Sequence, residues 1–135
     1  MSLRALQPFF KEKGWKAFPF QRETWKAYQD GKSGLLHAPT GLGKTLAVYL
    51  GPLAGSLGSG DGCRVLWLTP LRALAVDTLR AIRAPLASIA SHFVAEARTG
   101  DSSSALRARL RKKLPHTLVT TPESLYVLLG SESGR

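Results

Sequence analysis

A chain of 135 residues has room for one small domain with a real core, and its 44% apolar and 21% charged residues are those of a globular protein. Nineteen Lys and Arg against nine Asp and Glu leave a net charge of +10, a balance that favours a polyanionic partner. The single cysteine, Cys63, excludes an internal disulfide or a cysteine-rich zinc site, and no apolar run approaches the ~18–20 residues needed to cross a bilayer. The opening Met1-Ser2-Leu3-Arg4 carries no signal-peptide pattern, so a cytoplasmic, membrane-free protein is expected.

Leu3, Leu6, Phe9 and Phe10 fall at helical spacing up to Gly14. After the aromatic turn around Pro19, a second helix places Phe20, Thr24 and Tyr28 on one face and stops at Gly31. Gln21 comes just after that turn. Its amide pairs a donor with an acceptor, the complement of the adenine edge, although a capping or solvated glutamine is the plainer alternative. Leu35-Leu36-His37 reads as a first strand, followed by Ala38-Pro39-Thr40-Gly41-Leu42-Gly43-Lys44-Thr45 and an apolar helix. A strand, a Gly-containing turn and a helix opening with Lys-Thr are the parts of a phosphate-binding loop. Gly41 and Gly43 let backbone N–H groups converge, Lys44 reaches the β- and γ-phosphates of ATP, and the Thr45 hydroxyl holds Mg²⁺.

Gly51-Pro52 is expected to end that helix, leaving residues 51–62 as a glycine-rich surface loop. Arg64 to Thr69 then reads as a strand covered on both faces, with Cys63 an inert buried thiol at its start. The next helix buries Leu71, Leu74, Ala75, Thr78, Leu79 and Ile82 and stops at Pro85. His92 to Arg98 is a third strand. In the following helix, capped by Asp101 or Ser102, Leu106, Leu110 and Leu114 point inward while Arg107, Arg109, Arg111, Lys112 and Lys113 form a solvated outer face. Thr117 to Thr121 is a fourth strand, and Pro122-Glu123-Ser124 opens a last helix over Leu125 to Leu129. Strands alternating with helices define an α/β fold with a parallel sheet and right-handed crossovers.

Three turns follow strand ends: Thr69-Pro70-Leu71-Arg72, Thr99-Gly100-Asp101 and Thr121-Pro122-Glu123. In open α/β sheets ligands collect at that edge. Each turn offers a hydroxyl or a helix N-terminus, equipment for gripping a sugar–phosphate backbone without reading bases.

The order of these turns after APTGLGKT resembles motifs Ia, Ib and Ic of superfamily 2 DExH-box helicases. The longer strings GWKAFPFQRETW (14–25), SGLLHAPTGLGKTLAVYLGPL (33–53), RVLWLTPLRALAVDTL (64–79), RTGDSSS (98–104) and LVTTPESLYVLL (118–129) are similar to the Lhr-type branch, specifically the bacterial ligase-associated helicases. The resemblance implies a RecA-like P-loop NTPase domain with helices on both sheet faces, preceded by two N-terminal helices over residues 1–31. It implies that Thr40, Gly41, Gly43, Lys44 and Thr45 bind ATP and Mg²⁺ and that Gln21 reads adenine. Pro70, Leu71, Arg72, Thr99, Gly100, Asp101, Thr121, Pro122 and Glu123 would hold single-stranded DNA, and the activity would be ATP-driven movement in DNA repair, with a DNA ligase or nuclease as possible partners.

One part is missing from the string. Hydrolysis in that family uses an adjacent Asp and Glu, and no two acidic residues are adjacent here. The expectation is therefore the front portion of a first motor domain, inactive in hydrolysis alone, lacking motif II and a second RecA-like domain. Its sheet would be incomplete, with an exposed edge beside Leu35–His37 prone to association. The alternative is a self-contained basic module that binds nucleotide or nucleic acid without motor activity.

Overall fold

The computed structural model describes residues 3–39 and 43–131. They belong to two compact units, residues 1–59 with 84–91 and residues 60–83 with 92–135.

The first unit is helical. A 3₁₀ turn, Leu3–Leu6, leads into α1 (Gln7–Lys13), closed by Gly14 in the left-handed region at φ +66°. Helix α2 (Pro19–Gln29) packs on α3 (Lys44–Ser56). Its buried residues are Gln21 and Trp25, one turn apart, so the inward face is not the expected Phe20–Thr24–Tyr28 stripe. Trp25 fixes the contact with both ends of its ring system. The indole buries its apolar body near Phe10 and donates Nε1–H to the Leu46 carbonyl at 3.0 Å.

Helix α3 runs straight past Pro52, against the expectation that it would stop there. The proline forfeits one backbone bond, a cost of about 3 kcal/mol in an exposed helix. Here the turn beyond it buries Leu53 and Ala54, worth about 1.5–3 kcal/mol for the leucine alone, so packing overrides the punctuation. The same holds for α4 (Arg72–Ile89), which continues through Pro85 because Leu86 and Ala90 are buried on its far side.

Leu35–His37 is not a strand. The segment from Lys32 to Pro39 has no regular structure, and Leu35 is 94% exposed. A strand exists only through ladder bonds, and the three strands among the described residues pair with each other instead. Among the described residues no sheet edge therefore lies beside Leu35–His37.

The second unit holds that sheet: β1 (Val65–Leu68), β2 (Ala95–Arg98) and β3 (Thr117–Thr120), all parallel, in the order β1-β3-β2. Among the described residues three strands form where four were expected. Val65 and Ala95 both align with Thr117, and Leu68 and Arg98 both align with Thr120, so the three C-terminal ends are level. Strand β3 is buried at every position, hence covered on both faces. Strand β1 is an edge strand with Leu66 and Leu68 half exposed, which corrects the expectation of a strand covered on both sides.

Leu118 of β3 packs with Leu110 of α5 (Ser104–Lys112) and Leu128 of α6 (Pro122–Leu129), flanked by Cys63, Leu106 and Leu114. The Leu106–Leu110–Leu114 stripe thus faces inward as read from the sequence. Burial pushes the Cys63 thiol up from its ordinary value, which keeps it protonated and inert. Helix α5 is capped by Ser103, whose Oγ accepts the Leu106 N–H at 3.1 Å. Asp101 and Ser102 are occupied elsewhere: Asp101 pairs with Arg72, and Ser102 Oγ accepts the Thr99 N–H.

Candidate nucleotide and nucleic-acid sites

In the first unit, Gly43 is the N-cap of α3, with Lys44 and Thr45 in its first turn. Among the described residues no side chain caps this helix and no acid lies in its first turn, so no carboxylate of that turn offsets the amides and partial positive charge of a 13-residue helix. That donor set, with an ammonium and a hydroxyl on the first turn, fits a polyphosphate and its Mg²⁺. Thr40 and Gly41, two further predicted residues, lie outside the described residues. Gly43 has φ −96°, a conformation open to any residue. What demands glycine is space: a Cβ here would stand 2.7 Å from Phe20 Cζ and 3.3 Å from Gln21 Nε2.

Gln21 is 2% exposed and ties the two helices together. Its Oε1 accepts the Phe18 N–H at 2.9 Å, capping α2, and its Nε2 donates to the Gly43 carbonyl at 3.1 Å. A primary amide retains one further donor hydrogen and one acceptor lone pair beyond these bonds. Beside it opens a hollow of about 520 Å³ lined by Phe10, Gly14, Trp15, Lys16, Phe18, Gln21 and Leu46. Trp15 and Phe18 are each about half exposed, so both leave ring surface open to this hollow.

In the second unit, the three turns converge. A groove of about 780 Å³ runs along the level C-terminal ends of β1, β2 and β3. Pro70, Leu71, Arg72, Gly100, Thr121 and Glu123 line it; of the other predicted residues, Thr99 is buried, Asp101 pairs with Arg72 and Pro122 is the first residue of α6. The sequence suggested exposed hydroxyls; instead Thr69, Thr99 and Thr121 are buried. Thr99 Oγ1 accepts the Asp101 N–H at 3.2 Å, and Thr121 Oγ1 accepts the Ser124 N–H, capping α6. Arg72 lies flat over Gly100 and pairs with Asp101 at 3.0 Å; a Cβ at Gly100 would sit 2.3 Å from Arg72 Nη2.

Two cationic groove residues were missed by the sequence reading. Arg98, at the end of β2, is 8% exposed and donates Nη1–H to the Ser124 carbonyl at 3.1 Å. Arg107 was expected on a solvated face, yet its Nη2 donates to the Thr99 and Gly100 carbonyls at 3.3 and 2.7 Å. The Nε of each is buried without an acceptor among the described residues. Leaving a buried donor unmet costs about 1–3 kcal/mol, more for a charged one. No acid offsets either charge: among the described residues Glu96 pairs with Arg83 and Arg109, and Asp61 with Lys113. Burial first, then the neighbouring Arg107 and Arg111, hold the Arg98 guanidinium below its ordinary value, though it remains protonated. The signal was present in the chain as RTGD, an arginine at the last position of a strand.

The parallel strands, the Lys-Thr helix start and the convergent turns agree with the sequence profile of the DEAD/DEAH box helicases, which matches residues 18–135. The chain belongs to the DEAD/DEAH box helicase family. It is 36% identical over 127 residues to the Lhr helicase/probable uracil glycosylase of Mycolicibacterium smegmatis, covering 84% of this chain and 8% of that protein. Against the ATP-dependent helicase Lhr-Core of Methanocaldococcus jannaschii the identity is 34%, over 95% of this chain and 17% of that protein. The solved structure of Mycobacterium smegmatis helicase Lhr bound to ssDNA and AMP-PNP superposes with a TM-score of 0.84 at 34% identity, over 96% of this chain and 18% of that one. The chain thus spans less than a fifth of the length of these relatives. The RecA-like fold and the likeness to Lhr-type helicases read from the motifs are both borne out.

Proposed function

We propose that this chain supplies the ATP-binding and strand-gripping elements of an ATP-dependent DNA helicase or translocase that acts in DNA repair. The observation that carries the reading is the convergence of three separate turns on one groove at the C-terminal edge of the parallel strands.

Gly43 and the first amides of α3, with Lys44, bind the phosphates in this reading, and Thr45 holds Mg²⁺. When bound, Mg²⁺ supplies charge neutralisation at the phosphate oxygens. Gln21 presents its remaining donor and lone pair to adenine, with Trp15 and Phe18 as stacking faces. Arg72 and the N-terminus of α6 hold backbone phosphates in the groove, which explains why the base-blind equipment of these turns suffices for a motor that must pass any sequence. The 135 residues contain no adjacent acidic pair, so binding rather than turnover is proposed for them.

Titration of ATP·Mg and of a fluorescent oligothymidine against the parent, Lys44→Ala and Arg72→Ala tests this. Lys44→Ala should lose nucleotide affinity and keep oligonucleotide binding; Arg72→Ala should do the reverse. Indifference of nucleotide binding to Lys44, or absence of oligonucleotide binding by the parent at low salt, refutes it.

A further inference from the structure

We infer that the hollow between the 3₁₀ turn, α1 and α2 is a docking site for an acidic peptide segment that carries one large apolar side chain. The hollow, of about 730 Å³, lies wholly within the first unit. Its apolar surface comes from Leu3, Leu6, Phe10, Trp15 and Trp25, of which Leu6 and Trp25 are only 2% and 4% exposed. Four cations share the lining, Arg4, Lys16, Arg22 and Lys26, and no Asp or Glu does.

This charge is poorly compensated. Arg22 and Lys26 stand one turn apart on α2, a like-charged spacing that weakens a helix. Lys26 reaches Asp30 at 3.8 Å, but both are exposed and such a pair offsets little. Lys16 and Arg22 are exposed and in no ion pair among the described residues. Cations around an apolar concavity are the arrangement of an interface with a central anchor and a polar rim. Carboxylates complement the rim, and one Phe- or Leu-sized side chain fills the floor. The floor selects against a nucleobase. Trp25 spends its only donor on the Leu46 carbonyl, Gln29 is already engaged and Gln7 is exposed. Ring nitrogens carried to the floor would be stranded without partners, whereas an apolar side chain has none to strand. Trp15 and Lys16 also line the hollow beside Gln21, so the test rests on Arg22, which lines only this one of the two.

The test uses the whole chain and a fluorescein-labelled decapeptide of Asp and Glu with one central Phe, read by anisotropy at low salt. The parent should bind it, and replacing the Phe by Ala should weaken binding about tenfold or more, the loss of a buried anchor. Arg22→Glu should weaken binding of the Phe peptide about tenfold. Arg80→Glu, the same change in net charge at an exposed position of α4, should stay within about twofold. Both replaced residues are exposed, so neither variant should melt earlier by more than a few degrees. Of the three indole N–H resonances, those of Trp15 and Trp25 should shift on titration and that of Trp67 should not. Absence of binding by the parent overturns the inference. So does indifference to the Phe, or an equal effect of Arg22→Glu and Arg80→Glu, either of which reduces the site to diffuse charge attraction. If oligothymidine displaces the peptide and loses as much affinity in Arg22→Glu as the peptide does, the hollow takes nucleic acid and the peptide assignment fails.

Discussion

Gln21→Leu separates the structural from the ligand-reading use of one amide. The substitution nearly conserves volume at a site that is 2% exposed, so no cavity enters the accounting. Leucine abandons the Phe18 N–H, the cap of α2, at a cost of about 0.5–2 kcal/mol. It also removes the bond to the Gly43 carbonyl, worth about 0.5–1.5 kcal/mol; the lower half applies, since that carbonyl still accepts the Ala47 N–H at 2.9 Å. The sum is a loss of about 1–3 kcal/mol, read as a lowered urea midpoint of the helical signal at unchanged slope. Nucleotide titrations on the same protein decide the second question. If the amide reads adenine, Gln21→Leu loses preference for ATP over GTP; if it only joins α2 to α3, both affinities fall in parallel. A midpoint within about 0.5 kcal/mol of parent would refute the tie between α2 and the start of α3.

Gly43→Ala should destabilise by about 1–3 kcal/mol in the same assay, since its Cβ must displace the Phe20 ring, itself stacked on Phe18. Gly100→Ala should leave stability within about 0.5 kcal/mol, because only the flexible end of Arg72 has to move, while weakening oligonucleotide binding in fluorescence anisotropy. Ser103→Ala removes the cap of α5 and should cost about 0.5–2 kcal/mol by urea unfolding. His116 gives a pH dependence: burial holds its imidazole below the ordinary value, and its Nδ1 accepts the Val94 N–H. The unfolded chain therefore takes up a proton that the folded ring resists, so stability present above about pH 6.5 is lost as pH falls through that value, and His116→Phe should flatten this part of the melting-temperature profile.

What the sequence disclosed was chemistry carried by short, local strings. The three turns, the Lys44–Thr45 helix start and the leucine stripe of α5 each declare themselves within a few residues, and the structure puts the turns in one place. What it concealed depends on partners distant in the chain. Pro52 and Pro85 look like stops because propensity is local, whereas Leu53 and Leu86 beyond them are held by packing. Leu35–His37 has the composition of a strand but no ladder partner among the described residues. Arg107 shares its helix with three other cations and Lys113 follows them at the C-cap, and only the fold shows that Arg109 and Lys113 meet acids while Arg107 turns to the backbone of the Thr99 turn.

The sheet order has a geometric consequence. Because β3 lies between β1 and β2, the turn that comes last along the polypeptide, 121–123, is the middle tooth of a comb whose outer teeth are 70–72 and 99–101. Neighbouring teeth are set apart by the strand spacing of about 4.8 Å, fixed by backbone hydrogen bonds rather than by side chains. A polymer laid across them is measured against a rigid ruler, so substitutions in the teeth change how firmly it is held, and only a change in strand pairing alters the pitch.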